Sequence, residues 1–213
     1  MKNLIIKEKL IVLFRQMEMQ DFIKCVETLH RAGVRVLEIC YNAKNFADDD
    51  ALKKIRYVKE NYKDLCVGAG TTLTAEQVIA AKNAGADFIV SPVCEPEVIK
   101  ETKKLGLVSI PGAFTATECY NAYKLGADFV KIFPLMENNV NYFNVITTPL
   151  PDIKYVATGN INENNIPLFL EKGASVVGTG VSILKKDLIA KGAYDEIYEL
   201  AKKHVQAVKG EKE

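Results

Sequence analysis

LGADFVKIFP, from Leu125 to Pro134, is a glycine followed two residues later by an apolar run that one lysine interrupts. The same order, a glycine and then a β-type run, returns in AGVRVLEIC from Ala32, AGADFIVSP from Ala84, LGLVSIPG from Leu105 and KGASVVGTG from Lys172. The glycines concerned, Gly33, Gly85, Gly106, Gly126 and Gly173, are separated by 52, 21, 20 and 47 residues, so each interval is one or two units of roughly 20–25 residues. A glycine that accepts left-handed backbone closes a helix, and the next strand starts directly after it. LCVGAG from Leu65 and IKYVATG from Ile153 keep the strand without the glycine, and IVLFR from Ile11 brings the number of strands to eight.

Between the strands lie amphipathic helical segments. Thr74-x-x-Gln77 and Thr115-x-x-Glu118 read as capping boxes, and FIKCVETLHRAG from Phe22 and YDEIYELAKKHV from Tyr194 carry apolar residues at helical spacing. Strands alternating with helices imply a parallel sheet with right-handed crossovers. Eight of them imply closure into a single (β/α)8 TIM barrel, of α/β class, over residues 1–213, with only the Lys-rich tail after Val208 frayed. A doubly wound sheet is the alternative, with fewer strands at this length. The composition is that of an ordinary globular chain, 48% apolar and 26% charged, and the net charge of +1 gives no attraction for nucleic acid or an anionic membrane. No apolar run reaches the roughly 18 residues of a membrane span, and charges interrupt the opening MKNLIIKEKLIVLF. Five unpaired-looking cysteines without a Cys-x-x-Cys pair read as reduced thiols in a cytoplasmic protein.

A barrel carries its active site at the C-terminal ends of its strands, and there the unusual residues gather. Arg15 follows the first strand, Glu38 and Asn42 the second, Thr71 the third, Pro92 the fourth. Lys131 and Phe133 belong to the sixth, Thr158-Gly159-Asn160 follow the seventh, and Gly180, Val181 and Ser182 follow the eighth. Strand alternation puts Lys131 on the face of Phe129 and Phe133, pointing into the barrel, with Val130 and Ile132 toward the helices. A neutral amine attacks a carbonyl and an ammonium does not; apolar surroundings favour the neutral form. The competing reading is a lysine that reaches solvent from a strand end. Glu38, on the face of Val36 and Cys40, is a carboxylate in an apolar strand. Such a group is paired or functional, so it is either half of a structural ion pair with Lys131 or a proton shuttle. The two histidines, His30 and His204, fall on helices away from the strand ends, which leaves no imidazole cluster for a metal and favours a metal-free, cofactor-free mechanism. Gly68-Ala69-Gly70 alone does not make a nucleotide motif. The glycines after the seventh and eighth strands are tight turns or backbone donors for a phosphate.

The ordered set RVLEI, VGAGT, SP, IPG, VKIFP and TGNI, spread from about Ile11 to Val208, resembles the 2-keto-3-deoxy-6-phosphogluconate/4-hydroxy-2-oxoglutarate aldolases. The resemblance implies a class I, pyruvate-releasing aldolase built as a homotrimer of (β/α)8 barrels. It implies Lys131 as the Schiff-base lysine, Glu38 as general acid/base, Thr71 at the pyruvate carboxylate, Pro92 and Phe133 as pocket walls, and Gly159 with its neighbours at a distal phosphate. Three positions depart from the gluconate-type pattern. Asn42 stands where those enzymes have an arginine. The related 2-keto-3-deoxy-6-phosphogalactonate aldolases have an asparagine there, together with an arginine like Arg15. Asn160 replaces a glycine of the phosphate loop, and Val181 replaces a phosphate-binding serine, with Ser182 adjacent. The activity the resemblance implies is cleavage of a 2-keto-3-deoxy-6-phospho sugar acid, of gluconate or galactonate type, or of 4-hydroxy-2-oxoglutarate, to pyruvate and an aldehyde. The rivals are a metal-free sugar-phosphate isomerase or epimerase, with Glu38 as base, and a barrel that binds a keto acid without turnover.

Overall fold

In the computed structural model, residues 1–45, 49–136 and 139–210 are described. The parallel strands are β1 (Leu10–Phe14), β2 (Val36–Cys40), β3 (Cys66–Gly70), β4 (Phe88–Val90), β5 (Val108–Ile110), β6 (Gly112–Ala113), β7 (Val130–Leu135), β8 (Tyr155–Gly159) and β9 (Ala174–Thr179). The helices are α1 (Lys2–Glu8), α2 (Met19–Arg31), α3 (Asp50–Asn61), α4 (Ala75–Asn83) and α5 (Pro96–Lys104), then α6 (Ala116–Lys124), α7 (Val140–Thr147), α8 (Ile166–Glu171), α9 (Lys186–Ala190) and α10 (Tyr194–Lys209). From β1 onward strands and helices alternate as the glycine repeat predicts, except that β5 runs into β6 and α9 is followed by α10. At Gly33 and Gly126 φ is +95° and +89°, a conformation in which a Cβ would meet the following carbonyl. Both capping boxes form: Gln77 N donates to Thr74 Oγ1 at 3.3 Å and Glu118 N to Thr115 Oγ1 at 3.3 Å.

The strand order β5-β4-β3-β2-β1-β9-β8-β7-β6 closes on itself, because β5 and β6 are two halves of one barrel strand. The sequence reading makes this one strand. Pro111 splits it, since proline has no N–H for the ladder. Its carbonyl still accepts from Lys131 N at 2.8 Å, so the fifth strand joins β4 on one side and β7 on the other.

Each barrel strand sends alternate residues to two separate cores. Ile11, Val36, Cys66, Phe88, Val108, Phe129, Val156 and Val176, one per barrel strand, fill the barrel. Leu37, Val130, Ile132 and their equivalents pack under the helices. Helix α1, which strand and helix periodicity does not reveal, sets Ile5 at 0% exposure among the inner residues and so plugs the N-terminal end. Among the described residues the inner core thus fills the N-terminal end, and a cavity lies at the C-terminal strand ends. The last helix runs to Lys209 and closes on Gly210 at φ +72°, so Lys209 is helical rather than part of a frayed tail; the rest of the tail expected to fray, residues 211–213, lies outside the described residues. No described helix is long and apolar enough to cross a membrane.

Candidate active site

Lys131 stands one step above Phe129 on the inner face of β7, paired with Gly112 on one side and Val156 on the other. It is 6% exposed, and its Nζ lies 4.8 Å from the centroid of the Phe133 ring, within cation–π range. Lysine side chains are rarely this buried unless something uses the amine. The amine faces a cavity of about 570 Å³ that opens at the C-terminal ends of the strands.

Glu38, 3% exposed on β2, shares that cavity. Its carboxylate lies across the bare Cα of Gly70 on the neighbouring strand, where a Cβ would come within 2.2 Å of Oε1. Gly68, one step below, leaves space for the Phe88 ring, which a Cβ there would meet at 2.4 Å. The glycines that say nothing about nucleotides are therefore steric: one makes room for a core ring, the other for the carboxylate. Cys40 Sγ donates to Glu38 Oε1 at 3.5 Å. Burial, and then the Glu38 charge, push the Cys40 thiol up to about 12; Lys131 and a hydrogen bond from Thr71 oppose this only in part. Cys40 therefore stays a neutral donor to the carboxylate. Thr71 closes β3 with φ at +57°, a strained setting for a β-branched residue and one of two such non-glycine residues described. Lys131 and Glu38 make no direct ion pair with each other among the described contacts.

Around this pair the cavity wall includes Arg15, Thr71, Pro92 and Phe133, and also Thr158, Gly159, Gly180 and Val181. Gly159 and Gly180 are fixed by close backbone approach: a Cβ would lie 2.1 Å from the Leu135 carbonyl oxygen or 2.4 Å from that of Leu13. Three residues singled out by sequence lie outside the wall. Asn42 turns its Oδ1 to the Lys44 amide at 3.0 Å. Asn160 is exposed, its amide bound to the Leu135 carbonyl at 2.9 Å and its carbonyl to Asn165 Nδ2 at 2.8 Å. Ser182 points away from the cavity, with Oγ 2.7 Å from Thr179 Oγ1 and 2.9 Å from His204 Nε2. His204 is thus not remote from the strand ends: α10 folds back and places its ring beneath the loop after β9.

The structure also supplies residues that sequence reasoning misses. Gln16, Met17, Asp21, Tyr41 and Lys186 line the cavity. Lys54, in sequence an ordinary helix cation, is 1% exposed; its Nζ donates to the Met17 carbonyl and to Asp50 Oδ2, both at 2.5 Å. It ties α3 to the loop that carries Arg15 and Met17. Nothing local marks it, because its partner lies 37 residues away. Arg15 and Lys186 line the cavity together with Glu38 and Asp21, and Asp21 already accepts from Tyr194 OH at 3.1 Å.

A parallel (β/α)8 barrel whose buried lysine and carboxylate face one cavity at the C-terminal strand ends has the groups for carbonyl chemistry through an imine. The model described as "KDPG and KHG aldolase" matches residues 1–200, and the chain belongs to that family. It is 31% identical over 190 residues to the 2-dehydro-3-deoxy-phosphogluconate aldolase of Haemophilus influenzae, covering 89% of this chain and 87% of that protein. It is 30% identical over 181 residues to the 2-dehydro-3-deoxy-6-phosphogalactonate aldolase of Escherichia coli, covering 84% and 86%. The solved structure described as "Native KDPGal structure" superposes with a TM-score of 0.84 at 26% identity, covering 95% of each chain.

Proposed function

We propose that the chain is a class I aldolase that cleaves a 2-keto-3-deoxy-6-phospho sugar acid, of gluconate or galactonate type, to pyruvate and a phosphorylated aldehyde, with Lys131 as nucleophile. The observation that carries this reading is a lysine 6% exposed and a glutamate 3% exposed facing one cavity without a direct ion pair. The neutral Lys131 amine adds to the C2 carbonyl, and the Glu38 carboxyl passes a proton to the departing hydroxyl to leave an iminium ion. Glu38, now a carboxylate, takes the C4 hydroxyl proton as the C3–C4 bond breaks; the bond's electrons pass to the iminium ion, the aldehyde leaves and an enamine remains. Protonation at C3 and hydrolysis then free pyruvate and regenerate the amine. Thr71 and Arg15 receive the substrate carboxylate, and Pro92 and Phe133 flank the reacting carbons. Arg15 lines the cavity, and the pairing of an arginine there with an asparagine at position 42 is the residue pattern the resemblance gives the galactonate branch, so that epimer is the expected better substrate.

The distal phosphate fits between Thr158-Gly159 and Gly180-Val181. The Val181 and Ser182 N–H groups make no turn or cap hydrogen bond within the described residues and are available to an anion, and Lys186 adds a positive charge. The protein works as one barrel domain over residues 1–213, in the cytoplasm and as a homotrimer. Exposed Tyr120 and Tyr123 on α6 and Val145 on α7 supply apolar surface for such an assembly, and light scattering would give its mass. Reduction with borohydride in the presence of pyruvate tests the chemistry. One pyruvyl group per chain is expected, on the peptide containing Lys131. Its absence in active enzyme, or its presence on another lysine, overturns the mechanism. A higher kcat/KM for phosphorylated than for unphosphorylated keto acids tests the phosphate site, and equal or better turnover of 4-hydroxy-2-oxoglutarate refutes it.

A further inference from the structure

His204 is 0% exposed on α10, and four hydrogen-bond contacts run in sequence through its ring. Its Nδ1 lies 2.7 Å from the Leu200 carbonyl and its Nε2 2.9 Å from Ser182 Oγ. Ser182 Oγ lies 2.7 Å from Thr179 Oγ1, which lies 2.8 Å from the Ile161 carbonyl. A carbonyl only accepts, so the ring must donate through Nδ1, and at the other end Thr179 must donate to Ile161. Two contacts remain, Thr179 to Ser182 and Ser182 to His204, with only the Ser182 hydroxyl hydrogen left for them. A neutral imidazole therefore forces one hydroxyl hydrogen to serve two acceptors. An imidazolium, donating from both nitrogens, gives each of the four contacts its own hydrogen.

We propose that His204 is a positioning residue for the loop between β9 and α9: as an imidazolium it donates to Ser182, completes the chain to Thr179, and holds the Val181 and Ser182 amides toward the cavity. The effect on catalysis rests on the reading that these amides take the substrate's distal phosphate. The charged groups facing the ring are Glu163, from the turn before α8, with Oε2 3.6 Å from Nε2, and Lys185, from the turn before α9. Helix α2 and strand β1, also packed on α10, bring no charge to it among the described residues. Burial holds His204 below the ordinary histidine range; the Leu200 carbonyl and Glu163 oppose this, and Lys185 adds to the lowering. The loop is accordingly held most firmly on the acid side and loosens as pH rises through the histidine's titration.

The chain has only two histidines, so nitrogen NMR resolves the ring of His204 from that of His30 across pH 5–8. The expected spectrum shows His204 protonated on both nitrogens at the acid end, with the Val181 and Ser182 amide signals moving along the same titration. In parallel, KM is measured against pH for a 6-phosphorylated 2-keto-3-deoxy sugar acid and its unphosphorylated analogue, in wild type and Ser182→Ala. Relative to Ser182→Ala, the wild-type KM for the phosphorylated substrate should rise roughly 2- to 10-fold through the titration, the worth of about one hydrogen bond. The phosphate ester's own second ionisation, near pH 6, acts in the opposite direction and equally on both proteins, so the difference between them reports His204. A ring that stays singly protonated down to pH 5, or loop amides that ignore its titration, overturns the proposal. Loop amides that follow His204 while both substrates behave alike leave the positioning role standing and overturn the phosphate reading.

Discussion

Gly70→Ala adds one methyl group at the point where β3 passes beneath the Glu38 carboxylate. Gly70 is not among the positive-φ residues, so alanine fits the backbone and the perturbation is purely steric. The new Cβ would lie 2.2 Å from Oε1 and 2.8 Å from both Cδ and Cγ of Glu38, whereas ordinary contact begins at about 3.4 Å. Oε1 must therefore move about 1.2 Å, the difference between those two distances. The move breaks the contact with Cys40 and shifts the carboxylate relative to Lys131. A displacement of about 1 Å in a reacting group costs on the order of 10²-fold in rate, and crowding a packed site costs about 1–3 kcal/mol of stability. The expected result is a folded protein, melting several degrees lower, with kcat for pyruvate release down about 100-fold. Borohydride should still label it with pyruvate on Lys131, at a reduced rate, since the nucleophile is untouched. A loss in kcat of less than about threefold would refute the assignment of Glu38 as proton shuttle, because the carboxylate cannot stay where it is beside that methyl group.

Glu38→Gln keeps the shape and removes the titratable proton, so kcat should fall about 10²-fold with the fold intact by circular dichroism; unfolding without a specific kinetic defect would mark Glu38 as a structural group instead. Lys54→Met leaves the Met17 carbonyl without its buried donor, which should cost about 1–3 kcal/mol in a denaturant titration and raise KM more than it lowers kcat, because the Arg15 loop loosens. Cys40, with its thiol pushed up to about 12, should hold only roughly one part in 10⁴ as thiolate at pH 8, so iodoacetamide at that pH should leave it unmodified over hours while a small free thiol added as a control reacts. Rapid alkylation of Cys40 would show that Lys131 dominates its surroundings rather than burial and Glu38.

The architecture is legible in the chain because its determinants are local. Gly33, Gly85, Gly106, Gly126 and Gly173 each close a helix by the backbone freedom of one residue, and all five take positive φ. The Thr74 and Thr115 caps are three-residue signals. Alternation along DFVKIFP places Lys131 inward and Val130 and Ile132 outward without reference to any other strand, as the two cores bear out. The break of the fifth strand at Pro111 and helix α1 lie beyond that reading. The break became visible only once the ring closed through the Pro111 carbonyl, and α1 matters only because the barrel's lower end needs a plug.

The candidate site divides along the same line. Residue type and position on a strand single out Lys131, Glu38, Arg15 and Thr71, because each is polar at the end of an apolar run. Sequence alone cannot say that Gly70 exists to make room for Glu38, that Ser182 turns from the cavity to His204, or that a helix lysine, Lys54, holds the loop beside Arg15. These are contacts between side chains on different elements, separated by a turn of the barrel rather than by a turn of helix. Backbone periodicity fixes which face a side chain leaves from. What it meets there depends on how neighbouring strands are registered and how the helices fold back over them, and only the closed barrel decides that.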